Sequence, residues 1–260
     1  MGATVELHHV ERKYGGLQAL SPTNQTLQAG SFTALVGPSG CGKSTLLDIV
    51  AGLNTGHEGQ VLIDGQELRG PRQKTGIIFQ EAAVLPWRTV LDNAAFALET
   101  QGVAKSQRRK IARDVLRRVG LSQFADHYPG QLSGGMRQRC AISRVLSTEP
   151  DLIMADEPFG ALDEQTRVVL GVELLRVVRQ TSATVLFVTH SIQEAVMLSD
   201  RVLVMSARPG EILLDVPVNL PAERDPSVMA RPEAGQLVDE IWSTLRSEAE
   251  RALVEQGAKA

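Results

Sequence analysis

The chain has little cysteine, no long apolar run and no excess of positive charge. Its two cysteines, Cys41 and Cys140, occur in unrelated contexts without the spacing of metal ligands, so we expect reduced thiols rather than disulfides or a metal site. The apolar run Thr184–Val188 is far shorter than the roughly 18 residues that a membrane-spanning helix needs. A formal net charge of -3 argues against a general basic field for nucleic acid.

The first residues also lack targeting signals. MGATVELHHVERKYGG has neither the basic-then-apolar layout of a signal peptide nor the Ser or Thr of a myristoylation motif. We therefore expect neither a signal peptide nor a transmembrane segment. The 260 residues are 43% hydrophobic, which is enough to bury a core, and they are long for one domain but short for two ordinary ones.

What is present is an alternation of short β-branched runs with longer amphipathic segments. Several of the short runs are apolar throughout, as strands buried on both faces must be. This order predicts an α/β protein with a mostly parallel sheet. The predicted strands are residues 32–37, 59–65, 75–80, 151–157, 183–189 and 201–206.

One region interrupts the alternation, since residues 90–146 show helical patterns and no convincing strand. Within it, residues 105–121 place Ile111, Val115, Leu116 and Val119 on one face and basic residues on the rest. The basic residues suit either a nucleic-acid patch or a solvated helix face, and the net charge favours the second interpretation. We predict a helical subdomain at about 88–148, inserted into the α/β core.

The C-terminal part is predicted to be loop-like from residue 218 and then helical. Its loop contains Pro221, Pro226 and Pro232. A stripe of apolar residues at helical spacing then predicts a helix with one packing face. This stripe consists of Leu237, Val238, Ile241, Trp242 and Leu245.

The segment GPSGCGKS, residues 37–44, matches the phosphate-binding loop G-x-x-x-x-G-K-[ST]. It follows a predicted strand and precedes the helical TLLDIVAGL, which is the context that the motif requires. Its glycines let backbone N–H groups turn inward around phosphate oxygens, and the following helix N-terminus adds partial positive charge. We predict that Lys43 reaches the outer phosphates and that the Ser44 hydroxyl binds Mg²⁺.

The segment LIMADEP, residues 152–158, is an apolar strand that ends in two carboxylates. Asp156 suits a direct or indirect contact with Mg²⁺, and Glu157 suits a group that orients or deprotonates an attacking water. A solvated strand end is the alternative for such a pair alone. The phosphate-binding loop in the same chain favours the catalytic interpretation.

A second anion site is predicted at Ser133, Gly134 and Gly135. These residues precede a predicted helix that runs to about Leu146. A hydroxyl, two unsubstituted backbones and a helix N-terminus together attract an anion. An ordinary glycine-rich helix cap is the alternative, which becomes less attractive when one chain shows two such helix starts.

Together these motifs resemble the nucleotide-binding subunit of ABC transporters, over about residues 5–245. Ser133, Gly134 and Gly135 match that family's signature sequence, although Met136 replaces its usual glutamine. The resemblance implies an α/β P-loop NTPase (ABC ATPase) core with a mostly parallel sheet, an N-terminal antiparallel β region and an inserted α-helical subdomain. It implies an ABC ATPase domain at 4–220 and a C-terminal helical tail at 221–260.

The resemblance further implies ATP as substrate and Mg²⁺ as cofactor. Tyr14 would stack on adenine, because its polar setting ERKYGG disfavours the alternative of a core tyrosine. Asp163, at the end of Ala161–Asp163, would lie where the two sites of a dimer are linked. The residues expected to bind ATP are Tyr14, Gly37, Pro38, Ser39, Gly40, Cys41, Gly42, Lys43, Ser44, Thr45, Ser133, Gly134, Gly135 and Asp163.

Catalytic roles are implied for residues at several strand ends. Gln80 would sense Mg²⁺ and the γ-phosphate. His190, in VTHS, would contact the γ-phosphate, although a lone histidine is more often structural. The expected catalytic residues are Glu157, His190, Lys43 and Gln80, and the expected metal ligands are Ser44, Gln80 and Asp156.

The resemblance also implies partners. Two copies would sandwich two ATP molecules, each between one phosphate-binding loop and the partner subunit's Ser133, so that ATP shifts the population toward a closed homodimer. The region from Gln80 to Asn93 would contact integral membrane permease subunits. Val84, Leu85, Pro86 and Trp87 would line a groove for an amphipathic helix, unless Trp87 simply caps the helical subdomain.

Three weaker segments, LPWRTVLDNAAFAL, MSARPGEI and VDEIWSTLRSE, are similar to importers for nitrate, alkanesulfonates and taurine. The expected protein is therefore peripheral, at the cytoplasmic face of the inner membrane. A periplasmic or surface substrate-binding protein would be an indirect partner, and nucleic acid would not be one. The alternative is a soluble ABC ATPase acting on nucleic acid or ribosomes, but such members usually carry two cassettes or long coiled-coil insertions.

Overall fold

The computed structural model describes residues 2–160 and 162–257, with side chains as far as residue 248. Across this part of the chain, no helix combines the length and the apolar character needed to cross a membrane. The strands are β1 (Val5–Tyr14), β2 (Leu17–Leu27), β3 (Phe32–Val36), β4 (Glu58–Ile63), β5 (Gln66–Glu67), β6 (Thr75–Ile78), β7 (Leu152–Asp156), β8 (Thr184–Val188), β9 (Arg201–Met205) and β10 (Ile212–Pro217).

The helices connect these strands in the order that the sequence predicts. They are α1 (Lys43–Val50), α2 (Val90–Ala94), α3 (Phe96–Thr100), α4 (Lys105–Arg118), α5 (Gly134–Leu146), α6 (Glu164–Thr181), α7 (Ile192–Leu198) and α8 (Pro232–Gly257). Short 3-10 turns occur at Ser122–Phe124, Pro129–Gln131 and Pro226–Ala230.

A six-stranded sheet forms the centre, with strand order β10-β9-β3-β8-β7-β6. Its strands are parallel except β10, which runs antiparallel to β9. All six predicted strands are present, and their ends differ from the predicted ones by at most two residues. Because parallel strands point the same way, the carboxyl ends of β3, β6, β7 and β8 meet at one edge, where such sheets bind ligands.

The two faces of this sheet bury different layers. Ala34 and Val36 face one core with the helices α5, α6 and α7, whereas Leu35 faces a second core with α1 and the N-terminal strands. This alternation follows from the period of two in a strand. It explains why these strands are apolar at every position, since neither face meets water.

The expected N-terminal antiparallel region is a four-stranded sheet with strand order β2-β1-β4-β5. Pairing between β1 and β2 shifts register between Leu7 and Val10, and His9 has a φ of 51°. Such bulges interrupt the alternation of apolar and polar residues. One of the predicted strands, β4, belongs to this sheet rather than to the parallel one.

The helices α2 to α5 lie between β6 and β7. Residues 79–151 are all described, and none of them lies in a strand. In α4 the buried face includes Ala112, Val115 and Leu116. Several of its basic residues form ion pairs with acidic neighbours, which supports a solvated helix face over a nucleic-acid patch; the pairs are Arg108–Glu99, Arg109–Asp92 and Arg117–Asp114.

The predicted C-terminal helix is α8, which packs against α7, β9 and β10. Ile241 is buried and Leu237, Val238 and Leu245 are partly buried against the main core. The prediction for Trp242 is wrong, because its side chain is 59% exposed. Successive residues of a helix point about 100° apart, so Trp242 turns away from the face that Ile241 buries.

Candidate active site

A cleft of about 440 Å³ lies at the carboxyl ends of the parallel strands. It brings together residues from the loop after β3 and from the ends of β6, β7 and β8. The predicted residues that line it are Tyr14, Ser39, Gly40, Gly42, Lys43, Ser44, Thr45, Gln80, Glu157 and His190. The sequence reasoning missed three further lining residues, namely Leu17, Ala19 and Arg208.

The glycines of the loop are required by its backbone and by its neighbours. Gly40 and Gly42 have φ values of 73° and 113°, in the left-handed region that disfavours other residues. A Cβ atom at Gly42 would lie 2.8 Å from the carbonyl oxygen of Ala19. One at Gly37 would lie 2.8 Å from the carbonyl oxygen of Met205. The loop therefore runs closely between β2 and the end of β9.

Lys43 is the first residue of α1 and is almost completely buried. Its Nζ donates hydrogen bonds to the carbonyl oxygens of Gly37 and Pro38 at 2.9 and 2.8 Å. The ammonium group is thus held inside the curve of the loop, where an anion can meet it. Cys41 lies beneath the loop rather than in the cleft, and burial raises the pKa of its thiol.

Glu157 and His190 form the opposite wall of the cleft. Glu157 follows β7 in the left-handed region, with a φ of 44°, and its backbone N–H donates to the carbonyl oxygen of Val188 at 3.0 Å. This conformation is uncommon for a residue other than glycine and marks functional sites in many proteins. His190 follows β8, and its Nε2 lies 2.5 Å from Oε1 of Glu157. The two side chains therefore orient each other.

The start of α7 holds His190 in place. The Ser191 side chain caps this helix and accepts a hydrogen bond from the Glu194 backbone N–H at 3.2 Å. The Thr189 hydroxyl donates to a carboxylate oxygen of Glu194 and accepts from the Ser191 N–H. Burial raises the pKa of Glu194. The backbone on both sides of His190 is consequently fixed.

The expected metal ligands supply hard oxygen atoms. Ser44 and Gln80 line the cleft, and Asp156 lies half-buried at the end of β7. The pKa of Asp48, on α1, is raised by burial and then by the charge of Asp156, so the two carboxylates are close. Among the described residues, no group of three or more acidic, His or Cys side chains forms a metal cage. The oxygen atoms of Ser44, Gln80 and Asp156 fit Mg²⁺, because this ion keeps several waters and takes one or two protein ligands plus phosphate oxygens.

Ser133 begins α5, and its Oγ accepts a hydrogen bond from the Met136 N–H at 3.3 Å. A Cβ atom at Gly135 would lie 3.0 Å from a methyl group of Thr166, so this glycine permits close packing of α5 on α6. A Cβ atom at Gly134 would have no atom nearer than 3.9 Å. None of the residues 133–135 lines the described cleft. The N-terminus of α5 is therefore separate from the N-terminus of α1, which lies in the cleft.

Asp163 also lies outside the cleft lining and caps α6. Its Oδ1 accepts a hydrogen bond from the Thr166 N–H at 2.9 Å, and this bond lowers the pKa of its carboxyl group. Ala161, in the same predicted segment, is outside the described residues. Asp163 has a structural role in this chain as an N-cap.

Tyr14 is 47% exposed at the edge of the cleft, which rules out the core-tyrosine alternative. The Arg12 guanidinium lies over one face of its ring, 4.5 Å from the centroid. Its hydroxyl accepts a hydrogen bond from the Asn54 side chain at 2.7 Å. These contacts fix the ring at the cleft rim.

The segment that follows Gln80 is exposed beside the cleft. Trp87 is 71% exposed, so a role as a packing cap of the helical subdomain does not account for it. Val90, Leu91 and Asn93 are buried, and direct contact of these side chains with a partner is excluded in this conformation. The predicted contact region of residues 80–93 is therefore accessible mainly in its first part.

The family model described as ABC transporter matches residues 20–160. The chain belongs to the ABC transporter family. As a member it is an ATP-binding, ATP-hydrolysing cassette, and its cleft brings the phosphate-binding loop together with Gln80, Glu157 and His190.

Relatives of this ABC cassette include transport ATPases. An uncharacterised ABC transporter ATP-binding protein of Methanocaldococcus jannaschii is 50% identical over 209 residues, which are 80% of this chain and 78% of that protein. The taurine import ATP-binding protein TauB of Escherichia coli (strain K12) is 42% identical over 215 residues, 83% of this chain and 84% of that protein.

Solved structures of ABC cassettes share its fold. A dimeric cassette in a post-hydrolysis state, bound to ADP and Pi, is 33% identical with a TM-score of 0.72, and the match covers 83% of this chain and 99% of that one. CbiO1 of Clostridium perfringens, part of the transporter complex cbiONQ, is 26% identical with a TM-score of 0.76, over 90% of this chain and 94% of that one.

Proposed function

We propose that this ABC ATPase drives an importer for a small anion of the nitrate, alkanesulfonate or taurine type. Its similarity to taurine import ATP-binding proteins supports this branch. The observation that carries the proposal is the cleft in which the phosphate-binding loop, Gln80, Glu157 and His190 meet. The anion itself would pass through separate membrane subunits.

In this proposal the triphosphate of ATP lies in the loop of residues 37–45. Backbone N–H groups and the N-terminus of α1 bind its oxygens, and Lys43 adds a full positive charge. The adenine stacks on the ring face of Tyr14 that Arg12 does not cover. Leu17 contributes an exposed apolar surface beside Tyr14 at the same rim.

Ser44, Gln80 and Asp156 would hold Mg²⁺ through their oxygen atoms. Bound there, the ion would neutralise charge on the outer phosphates. Glu157 takes the proton of the attacking water, and His190 orients the carboxylate through their 2.5 Å contact. Proton transfer to a positioned carboxylate contributes about 10²- to 10⁴-fold to a rate.

The separation of Ser133 from the cleft supports a homodimer. If one ATP is to contact the N-termini of both α1 and α5, the α5 N-terminus must come from the partner subunit, as a two-fold axis allows. Asp163, beside α6, would lie near this junction. The dimeric state of a related cassette bound to ADP and Pi is consistent with this arrangement.

Residues 79–88 would form the accessible surface for integral membrane permease subunits, with Trp87 as its most exposed apolar group. The protein would then be peripheral at the cytoplasmic face of the inner membrane, and a substrate-binding protein would act indirectly. We assign the ABC ATPase domain to residues 4–220, with the helical subdomain at about 88–148, and the C-terminal helical tail to 221–260.

Glu157→Gln tests the catalytic part of this proposal. The change keeps the shape of the side chain but removes its ability to accept a proton, so hydrolysis should fall by about 10²- to 10⁴-fold while ATP binding persists. Light scattering with MgATP should then detect a stable dimer. Glu67→Gln, on the distant strand β5, is the matched control. Normal turnover in Glu157→Gln would remove Glu157 from its role, and an ATP-bound monomer would reject the sandwich.

Trp87→Ala tests the membrane partner. The variant should bind ATP normally but retain less permease when the complex is purified from membranes. Trp242→Ala is a matched control, because Trp242 is also exposed and lies on α8. Equal retention of permease by all three proteins would return Trp87 to a role outside docking. Copurifying RNA or DNA in place of permease would support the soluble alternative.

A further inference from the structure

Arg208 lines the nucleotide cleft, although it comes from the turn between β9 and β10. Its side chain is exposed, and its Nε and Nη2 donate hydrogen bonds to the carbonyl oxygen of Gly40 at 3.2 and 2.9 Å. A charged donor group therefore holds the backbone of the phosphate-binding loop at Gly40.

The turn that carries Arg208 is pressed against the same loop. A Cβ atom at Gly210 would lie 2.2 Å from the carbonyl oxygen of Cys41, so only glycine permits this approach. The Gly210 N–H donates to the carbonyl oxygen of Ala19 at 3.0 Å. Within the turn, the Ser206 hydroxyl accepts from the Glu211 N–H at 2.9 Å. The turn is thus a rigid support rather than a free loop.

The C-terminal helix braces this support from behind. Glu248, on α8, is only 7% exposed, and its Oε2 accepts a hydrogen bond from the backbone N–H of Ala207 at 3.2 Å. Ala207 directly precedes Arg208. Contacts consequently run from α8 through the turn to the phosphate-binding loop.

The grip on Gly40 has a geometric consequence for anion binding. Gly40 has a φ of 73° and carries no side chain, so its backbone can rotate freely unless something holds it. The peptide bond is planar and trans, so fixing the Gly40 carbonyl also aims the Cys41 N–H in the opposite direction. That N–H donates a hydrogen bond to the carbonyl oxygen of Pro38 at 3.4 Å and so closes a turn of the phosphate-binding loop, which means that holding the Gly40 carbonyl also holds this turn.

We propose that Arg208 is a positioning residue of the nucleotide site, which holds the Gly40–Cys41 turn of the phosphate-binding loop in the shape that binds ADP and ATP, and that Glu248 supports Arg208 through its hydrogen bond with Ala207. The inference rests on the proposed nucleotide site. It assigns a role in nucleotide affinity to the turn between β9 and β10 and to α8.

Arg208→Met removes the donors and keeps much of the side-chain bulk, and Arg208→Lys keeps one donor. Arg208→Met should raise the Kd of ADP about tenfold, corresponding to about 1.4 kcal/mol. Arg208→Lys should recover part of this loss. The factor should be the same for ATP and should persist at high salt, because it arises from loop geometry rather than from long-range charge. The loss should appear mainly as a higher KM for ATP rather than as a lower kcat.

Two outcomes of these titrations overturn the proposal. An unchanged Kd for ADP in Arg208→Met means that the hydrogen bonds from Arg208 to Gly40 do not position the loop for nucleotide binding. A loss that is larger for ATP than for ADP, or that disappears at high salt, means that Arg208 attracts phosphate charge directly. Melting temperatures without nucleotide show whether either variant is merely unfolded.

Glu248 is tested by a double-mutant cycle. Glu248→Ala should weaken ADP binding by a smaller factor than Arg208→Met does. Glu248→Gln should bind ADP like the wild type, because it keeps a carbonyl acceptor. In the Arg208→Met background, Glu248→Ala should cause no further loss of ADP affinity. Full additivity would reject the brace. Lys43→Ala separates this inference from the nucleotide site itself. Normal ADP binding by Lys43→Ala would reject the nucleotide site. If Lys43→Ala loses ADP binding but Arg208→Met does not, only the role of Arg208 is rejected.

Discussion

Asn93 holds the exposed segment around Trp87 in one conformation, and replacing it should have a measurable cost. Its side chain is 0% exposed. Its Oδ1 accepts from the Leu85 N–H at 2.7 Å, and its Nδ2 donates to the carbonyl oxygens of Leu85, Arg88 and Thr89 at 3.0, 3.1 and 3.0 Å. Asn93→Leu keeps a side chain of similar size but removes all four bonds.

The size of the effect follows from what loses its partner. Two of the carbonyl groups keep another donor, because Leu85 also accepts from the Arg88 N–H at 3.1 Å and Thr89 from the Asn93 N–H at 2.8 Å. The Leu85 N–H and the Arg88 carbonyl carry most of the loss, at about 1–3 kcal/mol for each buried group. Since Leu85 is only half-buried, we expect a total of about 2–4 kcal/mol, or about 4–16 °C in melting temperature.

Calorimetry of the wild type, Asn93→Leu and Asn93→Asp measures this loss. At neutral pH Asn93→Asp should be at least as unstable as Asn93→Leu, because a carboxylate keeps the bond to the Leu85 N–H but faces three carbonyl oxygens without a donor. It should recover near pH 4, where a protonated carboxyl group can donate again. ADP binding should survive in both variants, whereas permease retention should fall as in Trp87→Ala. A melting temperature within about 2 °C of the wild type for Asn93→Leu would refute the reasoning.

Three further predictions concern a buried carboxyl group, the two buried thiols and one glycine of the phosphate-binding loop. Burial raises the pKa of Glu194 above its ordinary 4.5, so the ionised form disfavours the folded state and the wild type loses stability as the pH rises from that ordinary value through the folded pKa. Glu194→Gln should therefore melt higher than the wild type, by a gap that grows as the pH rises. The same melting temperature for both proteins at every pH would show that the carboxyl group stays solvated. Burial also raises the pKa of the Cys41 thiol, and it raises that of Cys140 to about 12. Neither thiol should therefore react with a disulfide reagent at pH 8 until denaturant is added. Rapid reaction of the native protein would contradict this prediction. Gly42→Ala should destabilise the protein by at least about 1–2 kcal/mol and abolish ADP binding, because the Gly42 backbone is left-handed and the Ala19 carbonyl leaves no room for a Cβ atom. Wild-type affinity for ADP in this variant would disprove the close contact between Gly42 and Ala19.

The predictability of the fold varied with the environment of each strand. The central strands were predicted because both of their faces are buried, which leaves an unbroken apolar run such as Thr184–Val188. The strand β1 was not located individually, because one face is solvated and its bulge near His9 breaks the alternation. Trp242 was misplaced because it is adjacent to Ile241 in the apolar stripe, and of these two residues only Ile241 faces the core.

The candidate site was predicted where a motif lies within one short segment. The phosphate-binding loop, Glu157 and His190 follow strands whose carboxyl ends meet by topology, so their proximity could be expected. Arg208 could not be, because its contact with Gly40 depends on how the turn between β9 and β10 packs on a loop 168 residues earlier. Spatial contacts of this kind follow from sheet order and close glycine packing, which local patterns do not encode.

The helix α5 connects the exposed segment around Trp87 to the predicted anion site at Ser133. Its Gln138 Nε2 donates to the carbonyl oxygen of Phe79 at 3.2 Å, and its Arg144 Nη1 donates to that of Ala83 at 2.9 Å, so α5 holds the chain on both sides of Gln80. Ser133 caps the same helix about 16.5 Å from Arg144 along its axis, at 1.5 Å per residue. Because an α-helix of this length is stiff, a partner that displaces the chain at Phe79 and Ala83 would also displace Ser133. In the proposed dimer this moves the group that meets ATP on the other subunit, and the same contacts would return the effect of ATP binding to the membrane partner.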